Sequence, residues 1–225
     1  HSWETPGDSS QGVWFAPLKR AVLEDGHLRL GYWSGNGALK GSETGIDLTS
    51  HTRLCPGVDT GKWTVTANRL EADEPTRGGI ALLEPIFDIR QGMVLEGTVE
   101  IHQPAKRWSG AGIYIELEQT GECREGMVIM AQTRGRTEAM TLKYRAAVLN
   151  DKDALIPVFR TEIGAEQGKK HRFRFLLRRT MTEFYLDDLL VQCYTLPGEP
   201  TGRIGIALES GRIVFENLRG WQMNI

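Results

Sequence analysis

The stretch HRFRFLLRRTMTEFYLDDLL, residues 171–190, decides the fold of this 225-residue chain. From His171 to Arg178, apolar and basic side chains alternate with a period of two, which predicts a strand with one buried face. The alternation returns from Thr182 to Leu186. Asp187-Asp188 then predicts a tight turn, because a short carboxylate can bond the backbone two residues on. The stretch therefore predicts antiparallel strands joined by short turns.

The same period continues on both sides of this stretch. It is clear in residues 93–102, 113–118 and 140–148, and loops rich in glycine and proline separate the segments. No window longer than about ten residues has a helical period, whereas ordinary helices run about 8–20 residues. Strands with one apolar face must bury it against a second sheet. We therefore predict an all-β fold, a two-sheet antiparallel β-sandwich.

The end of the chain resembles a known module. Thr182-Glu-Phe-Tyr-Leu-Asp-Asp188, a Pro/Gly loop, Thr201-Gly-Arg-Ile-Gly-Ile206 and Phe215-Glu-Asn-Leu-Arg-Gly-Trp221 are similar to the C-terminal β-sandwich of glycoside hydrolase family 32-type enzymes. They also resemble related concanavalin A-like sugar-hydrolase domains. The resemblance implies a concanavalin A-like jelly roll. It further implies an accessory domain that stabilises a catalytic five-bladed propeller and contacts carbohydrate.

Composition restricts the partners. Hydrophobic residues make up 40% of the chain and charged residues 25%, with a net charge of −2. This is ordinary globular composition, without the basic excess that recruits nucleic acid. No apolar run approaches the roughly 20 residues that span a bilayer. Composition therefore predicts neither nucleic acid nor membrane as a partner, while the resemblance implies carbohydrate.

The predicted organisation is one domain with an N-terminal extension. Residues 1–20 have no clear period and read as an extended connecting segment, in which Trp3 and Trp14 are the large aromatics. Residues 21–225 are predicted to form a single β-sandwich domain, which is a common length for this architecture.

Three cysteines, Cys55, Cys123 and Cys193, lie far apart without a metal-binding spacing. Free thiols are the simplest interpretation, although one disulfide stays open. Free thiols, together with the lack of a signal-peptide pattern, favour a cytoplasmic location.

Polar residues on the middle strands are the candidate ligand site. If these strands are neighbours, their outward side chains form one polar surface with Trp108 at its rim. Carboxylates and guanidinium groups bond sugar hydroxyls, while an aromatic ring covers the apolar sugar face. The alternative is cross-strand charge pairing that needs no ligand. The predicted ligand-binding residues are Trp108, Tyr114, Glu116, Glu100, His102 and Arg145.

Catalysis would need two carboxylates about 5–9.5 Å apart. Glu116 and Glu118 are the candidates, because alternate residues of a strand share a face. Any E-x-E strand offers such a pair, so the signal is weak. Glu122-Cys123 matches the acid/base motif of the family 32 enzymes, but it lies in a predicted turn. The nucleophile and Arg-Asp-Pro motifs of that family are absent from the sequence, so no complete catalytic motif is present.

No metal or cofactor is predicted. The histidines have no zinc spacing, and the loop residues Asp47, Asp59 and Asp73 form no dense oxygen cluster of the kind that calcium prefers. Three functions remain open at this point. They are an accessory domain of a glycoside hydrolase, a free-standing glycosidase acting through carboxylates on the polar face, and a structural module that buries Trp3 and Trp14 against its neighbour.

Overall fold

The computed structural model describes residues 17–24, 26–56, 62–74, 79–102, 108–120, 123–145, 148–149 and 156–224. Apart from one 3-10 helix at Ser34–Leu39, the regular elements of these residues are strands. The strands in chain order are β1 (Lys19–Glu24), β2 (His27–Tyr32), β3 (Lys40–Thr44), β4 (His51–Pro56), β5 (Lys62–Thr66), β6 (Arg69–Glu74), β7 (Gly79–Ile86), β8 (Met93–His102), β9 (Gly110–Thr120), β10 (Cys123–Gln132), β11 (Arg136–Arg145), β12 (Val148–Leu149), β13 (Ile156–Thr161), β14 (Lys170–Arg178), β15 (Met181–Leu186), β16 (Leu189–Thr195), β17 (Arg203–Glu209) and β18 (Gly211–Met223).

The strands form two sheets. Sheet A has the order β1-β2-β16-β15-β14-β8-β18-β6-β5, with β3 also paired to β18. Sheet B has the order β10-β9-β17-β7-β4-β12-β11-β13. Apart from the short parallel pairing of β12 with β4, the pairings are antiparallel. The predicted all-β, two-sheet sandwich of the jelly-roll kind is confirmed.

The main core lies between the sheets, where the alternation in the sequence predicts it. Phe173, Phe175 and Leu177 of β14 are at most 1% exposed and belong to this core. Ile113 and Ile115 of β9 meet them from sheet B. Burying one such side chain is worth roughly 1.5–3 kcal/mol, so the apolar face of each strand drives the two sheets together.

Sheet B closes on itself and encloses a second core. β10 pairs with β11, and β12 links β11 to β4, so the far ends of the sheet meet. The face turned away from sheet A is consequently apolar and buried. The ring of Tyr114 lies across Gly126, where a Cβ atom would be only 2.3 Å from it. This second core consists of Leu54, Ile80, Leu82, Tyr114, Val128, Met130, Met140, Leu142 and Ala207, with Trp108 packed against it.

Sheet A carries an apolar belt on its outer face. The belt crosses six neighbouring strands from β2 to β18. A strap, residues 33–39, connects its two ends, because the chain leaves β2 at Tyr32 and re-enters the sheet at β3 beside β18. In the strap, the Asn36 side chain donates to the Leu18 carbonyl at 2.7 Å. The belt residues are Tyr32, Val94, Leu176, Tyr185, Leu190, Trp221 and Met223.

An ionic cluster flanks this belt. Arg174 donates to Glu96 at 2.5 Å and to Asp188 at 2.9 Å, and its guanidinium lies 3.4 Å from the ring centroid of Tyr32. Lys40 approaches Glu96 to 2.8 Å. The charges along the edge of the belt are therefore matched within the protein.

The N-terminal boundary falls differently from the expectation. β1 spans Lys19–Glu24, so the predicted boundary between residues 20 and 21 lies inside a strand. Trp3 and Trp14 lie outside the described residues, and their predicted role stays a prediction. In the described part of the chain, no helix is long and apolar enough to span a membrane. Cys193 is a free, exposed thiol, whereas the side chains of Cys55 and Cys123 are not described.

Candidate functional site

The sequence predicts a single polar surface, and this prediction is wrong because its residues lie in different sheets. Glu100 and His102 are on β8 in sheet A, while Tyr114 and Glu116 are on β9 in sheet B. Consecutive strands are often neighbours, but here the chain passes from one sheet to the other between β8 and β9. Arg145 ends β11 in sheet B, and its side chain lies outside the described residues.

Glu100 and His102 form a local pair on the outer face of sheet A. Nε2 of His102 lies 2.6 Å from Oε1 of Glu100. Lys170 stands opposite Glu100 on one neighbouring strand, and Arg212 stands opposite His102 on the other. The Glu100–His102 contact lies within β8, whereas Lys170 pairs with Glu216 and Arg212 pairs with Glu71. Charge pairing of this kind needs no ligand.

Tyr114 and Glu116 lie on the face of sheet B that is turned away from sheet A, but both are buried, at 0% and 1% exposed. Glu116 forms an ion pair with Arg124 and accepts from the Thr201 hydroxyl at 3.1 Å. The expectation that this face is solvated is therefore wrong for both residues. Closure of sheet B around the second core is the physical reason.

Glu116 and Glu118 do not share a face. The β9–β10 register shifts so that Glu118 stands opposite Glu125, while Glu116 stands opposite Gly126. Leu117 is the extra residue of this β-bulge, and a bulge reverses the alternation beyond it. Glu118 is exposed and accepts from Thr120 at 2.8 Å. The predicted catalytic pair is therefore not assembled.

Trp108 remains partly accessible at one end of sheet B, and we call its surroundings the Trp108 cluster. Backbone bonds fix its position, since Ser210 Oγ donates to the Trp108 carbonyl at 3.0 Å. The next residue, Ser109, exchanges hydrogen bonds with Thr133 in the β10–β11 turn. The cluster consists of Trp108, Gln132, Arg134, Arg136 and Glu138.

The centre of the cluster is a buried carboxylate. Glu138 accepts from Gln132 Nε2 at 2.9 Å and pairs with Arg134 Nη2 at 3.1 Å and Arg136 Nε at 3.0 Å. The Gln132 amide oxygen accepts from both arginines. The guanidinium of Arg134 lies 4.1 Å from the ring centroid of Trp108. Buried acceptors thus hold two partly exposed guanidinium groups beside an aromatic ring.

The electrostatics of the cluster are dominated by positive charge. Burial lowers the pKa of Arg134, and the neighbouring guanidinium of Arg136 lowers it further, while Glu138 opposes the shift. Arginine still stays protonated at any physiological pH. The cluster therefore presents permanent hydrogen-bond donors next to an aromatic surface.

Sequence reasoning found Trp108 but missed its partners. Gln132, Arg134, Arg136 and Glu138 lie in the stretch QTRGRTE, which reads as an ordinary polar hairpin turn. One signal was present. Gln132 and Glu138 occupy the positions that extend the buried face of Val128, Met130 and Met140, so polar residues there require partners.

Metal binding finds no support in the described residues, which contain no group of three His, Cys, Asp or Glu side chains able to hold an ion. Asp47 accepts from the amide and the hydroxyl of Thr49, as a loop-closing residue does. Asp73 is an exposed residue of β6, and Asp59 lies outside the described residues.

The comparison with known structures shows which fold this chain has. The chain is similar to the carbohydrate-binding module CBM66 from Bacillus subtilis, with a TM-score of 0.57 and 15% identity, covering 80% of this chain and 97% of that one. It is also similar to the potassium-bound carbohydrate recognition domain of Emp46p, with a TM-score of 0.55 and 13% identity over 79% and 91% of the two chains. The Ca²⁺-bound exoplasmic/lumenal domain of VIP36 matches with a TM-score of 0.50 and 11% identity over 79% and 93%.

No protein-family model and no curated protein matches this chain. At these identities the structural likeness shows the fold alone. The chain has the β-sandwich architecture of lectin-type and carbohydrate-binding domains.

Proposed function

We propose that this protein is a carbohydrate-binding domain and that the Trp108 cluster is its binding site. One observation carries the proposal: the guanidinium of Arg134 lies against the partly exposed Trp108, and the buried Glu138 and Gln132 hold both Arg134 and its neighbour Arg136 in place. Saccharide recognition combines a ring against the apolar sugar face with oriented donors for the hydroxyls. Prior fixation of the donors lowers the entropy lost on binding.

The structural neighbours support this proposal. CBM66 is described as a carbohydrate-binding module and the Emp46p domain as a carbohydrate recognition domain. Because fold does not imply function, the weight of the proposal rests on the cluster itself.

A glycan array followed by calorimetric titration tests the proposal. We expect binding to at least one saccharide class, and a loss of roughly tenfold or more in affinity for Arg134→Ala, since a hydrogen bond to a charged group is worth about 1.5–3 kcal/mol. Arg134 lies in an exposed turn, so the variant is expected to fold.

Arg219→Ala is the matched control, because it removes an exposed arginine of sheet A that pairs with Glu43. It should bind like the original protein. Equal losses in both variants, or no binding on the array, would contradict a saccharide site at the Trp108 cluster.

The finer role, an accessory domain of a glycoside hydrolase, rests on the resemblance of residues 182–188, 201–206 and 215–221 to the family 32-type sandwich. Its test is the natural context of the chain. The accessory role is supported if a propeller domain precedes this domain and loses thermal stability when this domain is deleted. A natural protein without a propeller would contradict the accessory role.

A free-standing glycosidase acting through Glu116 and Glu118 is the weaker alternative. Glu116 is buried and ion-paired with Arg124, and the bulge at Leu117 places Glu118 on the other face of the strand. If the chain hydrolyses an oligosaccharide and Glu116→Gln abolishes turnover without unfolding the protein, the glycosidase alternative is supported.

A further inference from the structure

We infer that the saccharide recognised at the Trp108 cluster carries an acidic group, a carboxylate or a sulfate. This inference rests on the proposed function and adds the chemical class of the ligand. It starts from the balance of charge at this end of sheet B.

Among the described residues of this ion-pair network, three guanidinium groups share two carboxylates. Arg160 joins Arg134 and Arg136, since it stands opposite Glu138 in the β11–β13 register and acts on Arg134 electrostatically. The carboxylates in this set of ion pairs are Glu138 and Glu162. Glu138 is buried, accepts hydrogen bonds from Gln132 and Arg134 and is ion-paired with Arg136, while Glu162 is 73% exposed, where an ion pair contributes little. Positive charge is therefore left over beside Trp108.

The arginines keep donors for a ligand. The hydrogen bonds of Arg134 within the cluster use Nε and Nη2, and those of Arg136 use Nε. A guanidinium has five N–H donors and binds carboxylates and sulfate-like groups through two parallel bonds. The side chains are 32% and 23% exposed, so the remaining donors are within reach of a ligand while the aliphatic stems are held.

Three arginines of sheet A each have more carboxylate contact than the arginines of the Trp108 cluster have. Arg174 pairs with Glu96 and Asp188, and Arg219 makes two hydrogen bonds to Glu43. Arg69 likewise sits between Glu71 and Glu216. An acidic ligand would supply at the Trp108 cluster the charge that the protein itself supplies in sheet A.

The test compares three probes by calorimetric titration at low ionic strength. They are a galacturonic acid oligosaccharide, its fully methyl-esterified form and a sulfated galactan oligosaccharide. Inorganic sulfate at the same concentration is the control for a bare anion. We expect at least one acidic oligosaccharide to bind tenfold or more tightly than the ester, with weaker binding in high salt because exposed charges are screened. Which acidic probe binds separates carboxylate from sulfate recognition.

Two variants locate the effect. Arg134→Gln should remove most of the preference for the acidic probe, whereas Arg219→Ala should leave it unchanged. Equal binding of acid and ester, or a preference that survives Arg134→Gln, would overturn the inference while leaving carbohydrate binding intact. Equally tight binding of inorganic sulfate would overturn it as well, because the site would then recognise an anion and not a saccharide. Failure of every saccharide, neutral or acidic, would end the proposed function too.

Discussion

Each of the two sheets has an apolar outer face, and the two sheets bury that face in different ways. Sheet A carries a buried apolar belt whose ends are connected by the strap at residues 33–39, and ion pairs of Glu96 with Lys40 and Arg174 lie beside it. Sheet B covers its apolar face by closing on itself, and at one end two arginines share the single buried carboxylate of Glu138. The comparison teaches that simple alternation, with one face to the core and one to water, fails where the second face of a sheet is also buried.

The largest expected effect concerns the second core of sheet B. Tyr114→Ala should destabilise the protein by about 4 kcal/mol, because it removes a fully buried ring and leaves a cavity. Urea unfolding followed by fluorescence measures the change. Leu23→Ala, at a residue that is 77% exposed in β1, is the control and should change stability by less than about 0.5 kcal/mol. A small effect of Tyr114→Ala would mean that the closed sheet B is not a packed core.

The next effect concerns the buried ion pair of sheet B. Arg124→Met should cost about 3 kcal/mol, because Glu116 would remain buried without its charged partner. The double variant with Glu116→Gln should recover part of this loss, since no lone charge then remains. Chemical denaturation of Arg124→Met, Glu116→Gln and the double variant gives the coupling energy. A coupling near zero would contradict the assignment of Glu116 to an interior pair.

One substitution between the two sheets is expected to increase the stability of the protein. Gln192 stands opposite the core residue Phe184, and its amide nitrogen and oxygen have no hydrogen-bond partner among the described residues. Gln192→Leu should therefore stabilise the protein by about 1 kcal/mol, because it removes an unsatisfied buried amide.

The control for that change is Gln222→Leu, which should destabilise. The Gln222 side chain donates to the Asp88 carbonyl at 2.7 Å and accepts from the Asp88 amide at 2.9 Å. Thermal melts of both variants test the pair. Destabilisation by Gln192→Leu would show that this amide has a partner inside the core.

The smallest effect concerns pH and the ionic cluster of sheet A. Burial raises the pKa of Glu96, but Lys40 and Arg174 outweigh it, and the net pKa lies below the usual 4.5. The contribution of Glu96 to stability is therefore complete above pH 4.5 and is lost as the pH falls through its folded pKa. Glu96→Gln should flatten the stability profile in this acidic range. Identical profiles of variant and original protein in denaturation between pH 5 and about pH 3 would refute the ionic role, since Asp and Glu normally titrate there.

The sequence predicted the strands well where one face is strongly apolar. In β14 the alternation of phenylalanine and arginine matches the buried and exposed positions closely. It failed for β9, where Ile113 and Ile115 are buried as expected but Tyr114 and Glu116 are buried as well. A period of two tells the two faces of a strand apart. It does not tell whether something covers the second face.

The candidate site could be predicted only in part, for a related reason. Trp108 is visible in the sequence as an aromatic residue in a polar loop. Its partners Arg134 and Glu138 become significant only when the β10–β11 hairpin is placed beside the start of β9. Glu100 and His102 share a polar surface with β9 only if the two strands are neighbours, and β8 belongs to the other sheet.

The sequence by itself determined the strand class, the turn positions and which face of each strand forms the main core, because these depend on local side-chain alternation. Only the tertiary structure decided which strands are neighbours, that sheet B closes around a second core, and that the bulge at Leu117 separates Glu116 from Glu118. Pairing between strands distant in sequence depends on the packing of the whole chain, and a one-residue shift in register moves a side chain to the other face.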